Sequence, residues 1–174
     1  MVDAAVVVDL FNKLFSDRYR TILSGGAQEP FYRFRPEGTS VIYFREDYLS
    51  SAMHEVAHWC IAGKRRRACD DYGYWYQTDR DRAAQVAFEQ FECRRQALEW
   101  IFSVAAGCPF RVSQDNFDAR ATEPDSFRHQ VRAATLNYLC NGIPDRADRF
   151  GNALSEVSGC GGFMQHHYYD KLPG

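Results

Sequence analysis

Apolar residues near the start of the chain recur every three or four positions: Val6, Leu10, Phe11, Leu14 and Phe15, all within 3–16. That spacing predicts one face of an amphipathic helix. The pattern breaks at Ser24-Gly25-Gly26 and Glu29-Pro30, which predicts a loop. Two runs of β-forming residues follow, Phe31-Tyr32-Arg33-Phe34 and Val41-Ile42-Tyr43-Phe44, separated by Pro36-Glu37-Gly38, and predict two short strands. The second leads into a helix over 48–62, with Gly63 where a C-terminal cap belongs.

The longest helical pattern covers 81–106, with Phe91, Leu98, Ile101 and Phe102 as its apolar face. Glu89, Glu92, Gln96 and Glu99 recur on it at steps of three and four, a narrow polar stripe of the kind that normally faces water. Gly107-Cys108-Pro109 ends this helix, and 113–116 is turn chemistry. Helices over 125–140 and 144–157 follow. The glycine-rich stretch 158–174 predicts a flexible tail, in which adjacent His166 and His167 point to different sides and make poor ligands. The sum is a single α+β domain over 1–157, mostly helical, with a small sheet whose last strand feeds the helix at 48–62.

That helix carries the chemistry. His54-Glu55-Val56-Ala57-His58 is an H-E-x-x-H sequence, and residues four apart lie one above the other on a helix, so both imidazoles can address one ion. Glu55 is rotated by about 100° from His54, which suits a general base beside a metal-bound water better than a third ligand. A third protein ligand is still required, and a carboxylate from a following helix is the usual source. Glu92, in the middle of the polar stripe, is the first choice and Glu89 the second. On chemistry alone a zincin-like metal helix and a zinc peptidase stand in front, and a structural zinc site has no convincingly placed fourth ligand.

Composition narrows the setting. With 45% apolar and 15% aromatic residues the chain can bury a core, and a net charge of −2 gives no global attraction to nucleic acid or to an anionic membrane. No stretch reads as a signal peptide or a transmembrane helix, so a cytoplasmic location is the expectation. The six cysteines contain no C-x-x-C pair and read as reduced, with Cys60 in the core. Lys64-Arg65-Arg66-Arg67 exceeds what a helix end needs and could dock an acidic partner. Next, Tyr72, Tyr74, Trp75 and Tyr76 cluster about Gly73, either as a strand on the core or as a loop lining a cleft near the metal.

In combination, HEVAHWCIAGKRRR at 54–67, DYGYWY at 71–76, FEQFECRRQALEW at 88–100 and AAGCPFRVSQDN at 105–116 resemble the bacterial elongation factor P hydroxylase family. The resemblance implies hydroxylation of the β-lysylated lysine of translation elongation factor P, with that protein as partner. It also implies a non-haem Fe(II) site of two histidines and one carboxylate: His54, His58 and, within FEQFEC, Glu92. Zn(II) would fill the same donor set in a purified sample. Glu55 then orients water or substrate, and no residue is assigned to 2-oxoglutarate. Arg65, Arg66 and Arg67 become a docking surface for an acidic protein, and Tyr72, Tyr74, Trp75 and Tyr76 cation–π surfaces for the lysyl group.

Overall fold

The computed structural model describes residues 2–73, 82–113 and 124–174. Helix α1 (Ala4–Tyr19) begins where Asp3 accepts the backbone N–H of Val6 at 3.0 Å. Its apolar stripe places Val7, Phe11 and Phe15 fully inside. Strands β1 (Thr21–Ala27), β2 (Phe31–Arg33) and β3 (Ser40–Arg45) form a sheet in the order β1-β3-β2. β1 runs parallel to β3 and β2 antiparallel to it.

β1 corrects the expected loop at 24–30, because its two glycines serve the strand. A Cβ on Gly25 would stand 2.7 Å from the Phe44 ring and 2.8 Å from the Glu46 carbonyl, so only glycine lets β1 approach β3 here. Gly26, at φ +82°, lies where the register shifts between Ser24 and Ala27, a bulge at the strand's end. β3 is the central strand, with Ile42 and Phe44 buried, and delivers the chain through Glu46-Asp47-Tyr48 into α2 (Leu49–Ile61).

α2 is the axis of the core. Trp59 has no exposed surface and receives the Phe11 and Phe15 rings at 5.0 and 4.9 Å. Its C-terminus is capped differently from expectation. Ala62, not Gly63, is the cap, and Gly63 does not take a left-handed conformation. The open carbonyls of Trp59, Cys60 and Ala62 instead accept from the Arg146 guanidinium at 3.0, 2.8 and 2.7 Å, and Arg67 also donates to Ala62.

α3 (Arg82–Ala105) packs against α2, and α4 (Pro124–Asn141) and α5 (Asp145–Ser158) against α3. Leu98, Ile101 and Phe102 are buried as expected, but Phe91 is 43% exposed. The polar stripe is turned the other way: Glu89, Glu92, Gln96 and Glu99 are all buried, three of them carboxylates. A solvated face cannot be told from a buried polar one by periodicity, since both follow the same 3.6-residue repeat.

The segment 158–174, expected to be flexible, is tied to the body. Phe163 and Tyr169 are buried, Gly151 leaves the space that the Phe163 ring fills, and Tyr169 packs on Trp100 at 4.9 Å. Arg132 donates to the Tyr169 carbonyl at 2.9 Å, and the Gly174 carbonyl accepts from Val112 at 2.8 Å. His166 and His167 are exposed in a short 3-10 turn. No helix among the described residues is long and apolar enough to cross a membrane.

Candidate metal centre

α2 presents His54, Glu55 and His58 toward the stripe of α3. One donor atom from each of the three lies within 4.8 Å of the others, the one group among the described residues that could hold a metal ion. The two Nε2 atoms are 2.9 Å apart. From α3, Glu92 brings Oε1 to 3.3 Å from His54 Nε2. Two ligand atoms each about 2.05 Å from one ion lie about 2.9 Å apart at a right angle and about 3.4 Å apart at the tetrahedral angle. Both observed separations fit that range, and the donor set of two imidazoles and a carboxylate suits a divalent transition metal.

The partners of these groups leave them little freedom. His54 Nδ1 is 2.8 Å from Glu99 Oε2, which leaves Nε2 as the atom turned to the site. Glu92 Oε2 accepts from Arg95 at 3.2 Å, so Oε1 is the oxygen facing His54. Gln96 closes the far end, donating to the Ser113 carbonyl and accepting from the Ser113 N–H. Glu99 belonged to the stripe in the sequence but had no assigned role. Its phase relative to Glu92, about two helical turns on, was the available signal.

Without a metal, a proton takes part of the load. Burial favours neutral His54, yet the charges of Glu92, Glu99 and Glu55 prevail and its pKa is pushed up to about 10. His58 is held well below the usual imidazole range by burial, aided by Arg95 and by the charge on His54. These directions make His54 the ring that favours carrying charge and His58 the ring that favours the neutral form. Burial raises Glu55 to about 7, partly opposed by His54, and raises Glu99 as well. Three buried carboxylates thus converge on two histidines, an arrangement a divalent cation stabilises.

Tyr72 approaches from the other side. Its ring stacks on Tyr32 at 4.5 Å and 5° and lies 6.1 Å from the His58 ring. The turn that puts it there is strained: Asp71 and Tyr72 have φ of +46° and +57°. Consecutive non-glycine residues in this region cost on the order of 1 kcal/mol or more each. The edge strand supplies the compensation, because Asp71 accepts the Tyr32 N–H at 3.0 Å and Asp70 the Phe34 N–H at 2.8 Å. With one face against Tyr32 and 3% exposure, Tyr72 is a buried wall of the site more than an open cation–π surface. Tyr74, Trp75 and Tyr76 lie outside the described residues, as do the turn residues Gln114, Asp115 and Asn116.

The basic run divides. Arg67 is half-buried, with its guanidinium 5.7 Å from the Trp59 ring and its bond to Ala62, and is part of the helix end. Arg66 lies over the Phe91 ring at 5.8 Å, and Lys64 and Arg65 are exposed. No cysteine joins the histidine group, and Cys60 is buried in the core as expected. Glu89 is buried on α3 three residues before Glu92, and the 3.3 Å approach to His54 belongs to Glu92.

A family model described as "Elongation factor P hydroxylase" matches residues 10–167. A curated protein of Haemophilus influenzae named "Elongation factor P lysine hydroxylase" is 39% identical over 153 residues, covering 85% of each chain. Neither match is to a peptidase.

Proposed function

Because the chain belongs to the elongation factor P hydroxylase family, we propose that it hydroxylates the β-lysylated lysine of translation elongation factor P at a non-haem Fe(II) centre held by His54, His58 and Glu92. The observation that carries this reading is the 2.9 Å approach of the two Nε2 atoms together with the 3.3 Å approach of Glu92 Oε1 to His54 Nε2, beside further buried carboxylates. Bound there, Fe(II) supplies the activation of dioxygen that C–H hydroxylation requires. The open coordination positions of a two-histidine, one-carboxylate site suit that chemistry.

The surrounding residues have separate tasks. Glu99 fixes the His54 tautomer and ring angle, and Arg95 keeps Glu92 to one oxygen. Glu55, with a pKa near 7 before metal binds, can give or take a proton beside the ligands without being one of them. The exposed Arg65 and the half-buried Arg66 would steer an acidic protein surface, and by their chemistry alone Tyr74, Trp75 and Tyr76 suit a cationic lysyl group. The reaction belongs in the cytoplasm, where the translation factor works, and asks for neither nucleic acid nor membrane.

Intact-mass measurement of β-lysylated elongation factor P tests this reading. Incubation with the protein, Fe(II), a reductant and air is expected to add one oxygen atom, and Zn(II) without oxygen to add none. A chain cleavage that Zn(II) supports anaerobically would replace hydroxylation by peptide hydrolysis.

A further inference from the structure

Two tyrosines stacked on each other treat their hydroxyls in opposite ways. Tyr32 donates its O–H to the Arg67 carbonyl at 2.9 Å. The Tyr72 hydroxyl is equally enclosed and has no hydrogen-bond partner among the described residues. A buried O–H without an acceptor is unfavourable and uncommon in native proteins. The Tyr72 ring lies 6.1 Å from that of His58 and in the field of Glu55, on a left-handed backbone pair that two aspartates hold against the edge of the sheet. Strain and an unpaired donor at the same residue, at the wall of the proposed metal centre, point to a group kept for a ligand.

We propose that the Tyr72 hydroxyl is a specificity-determining, substrate-binding group, which donates a hydrogen bond to an acceptor oxygen on the lysine side chain and so favours an acylated lysine over a bare one. The inference rests on the hydroxylation reading for the identity of the substrate. A bare lysine ammonium carries three donors and no acceptor. It can meet the lone pairs of the phenol but leaves the O–H unpaired. An amide oxygen pairs that donor, and a buried polar group left unpaired is what lets a site reject the analogue lacking its partner. The ring itself is held by Tyr32, so the hydroxyl is presented at a fixed place and orders few torsions on binding.

The test measures binding of elongation factor P, with and without an aminoacyl group on its lysine, to zinc-loaded protein that cannot turn it over. Wild type is expected to prefer the acylated form by at least about tenfold, and Tyr72→Phe, still binding one zinc ion, to lose about tenfold of that preference. Tyr32→Phe, which removes a hydroxyl bonded to the Arg67 carbonyl, is expected to keep it. An unchanged preference in Tyr72→Phe, an equal loss in Tyr32→Phe, or no preference in wild type would each overturn the proposal. Wild type that prefers the acylated form but adds oxygen to neither with Fe(II), a reductant and air would remove the hydroxylation reading and leave this one standing.

Discussion

Helix α2 serves two buried polar clusters, and they are finished to different degrees. At its C-terminal end, one Arg146 guanidinium satisfies three carbonyls and lies 4.7 Å from the Trp59 ring, with Arg67 alongside. Carbonyl dipoles and an aromatic face meet the guanidinium there within the chain, while Arg146 Nε and Trp59 Nε1 keep no hydrogen-bond partner among the described residues. On the face carrying His54, Glu55 and His58, the buried carboxylates Glu55, Glu92 and Glu99 gather about two imidazoles whose Nε2 atoms lie 2.9 Å apart, and push His54 toward its charged form. The first cluster uses the chain's own groups to hold the end of the helix in place. The second gathers carboxylates around two imidazoles, the arrangement expected of the proposed metal centre.

The largest way to break this contrast is to remove a ring. His54→Ala or His58→Ala is expected to lower metal affinity by more than about 100-fold, beyond the effect of an outer partner, and to abolish oxygen addition with it. Metal analysis after anaerobic Fe(II) loading reads this directly, and full loading of either variant would dissolve the proposed site. Glu99→Gln comes next: the ring keeps its place but loses its charged partner, and metal affinity or activity should fall about 10–100-fold. Equal Fe(II) affinity in this variant would make Glu99 a spectator.

The closed cluster should answer in stability alone. Arg146→Ala leaves the carbonyls of Trp59 and Cys60 without their side-chain donor and Ala62 with Arg67 alone, and should cost about 2 kcal/mol, or about 4–8 °C in Tm for a domain of this size. Metal stoichiometry at low temperature should be unaffected. A variant of normal Tm that loses its metal would show that the two clusters are one. The smallest effect is expected at the rim, where Arg65→Ser with Arg66→Ser should raise KM several-fold and flatten its salt dependence, with kcat little changed. Arg67 is left intact in that test because its guanidinium belongs to the helix end. A KM and salt response equal to wild type would leave Arg65 and Arg66 as surface charges.

The same contrast explains what could be read from the residues. H-E-x-x-H is local: a spacing of four on one helix fixes the relative placement of both rings, and the expectation of a strand feeding the helix that carries them matches β3 and α2. Glu92 was legible as a carboxylate in the right helical phase, but the burial of its stripe depends on α2 lying against α3, which no periodicity encodes. Arg146 is 84 positions from the carbonyl of Ala62 that it caps, so Gly63 drew the local inference instead. β1 was hidden by Gly25 and Gly26, which break a strand pattern on paper and here permit a close approach and a bulge. The segment after Ser158 was misread for a related reason, since its glycines obscured two anchors, Phe163 and Tyr169.

Anaerobic titration of Fe(II) into the metal-free protein tests the central claim most directly, with Glu92→Gln and Glu89→Gln run beside wild type. One ion per chain is expected in wild type and in Glu89→Gln, with binding greatly weakened in Glu92→Gln. Full binding by Glu92→Gln together with loss in Glu89→Gln, or no binding by wild type, would contradict the centre of two histidines and Glu92.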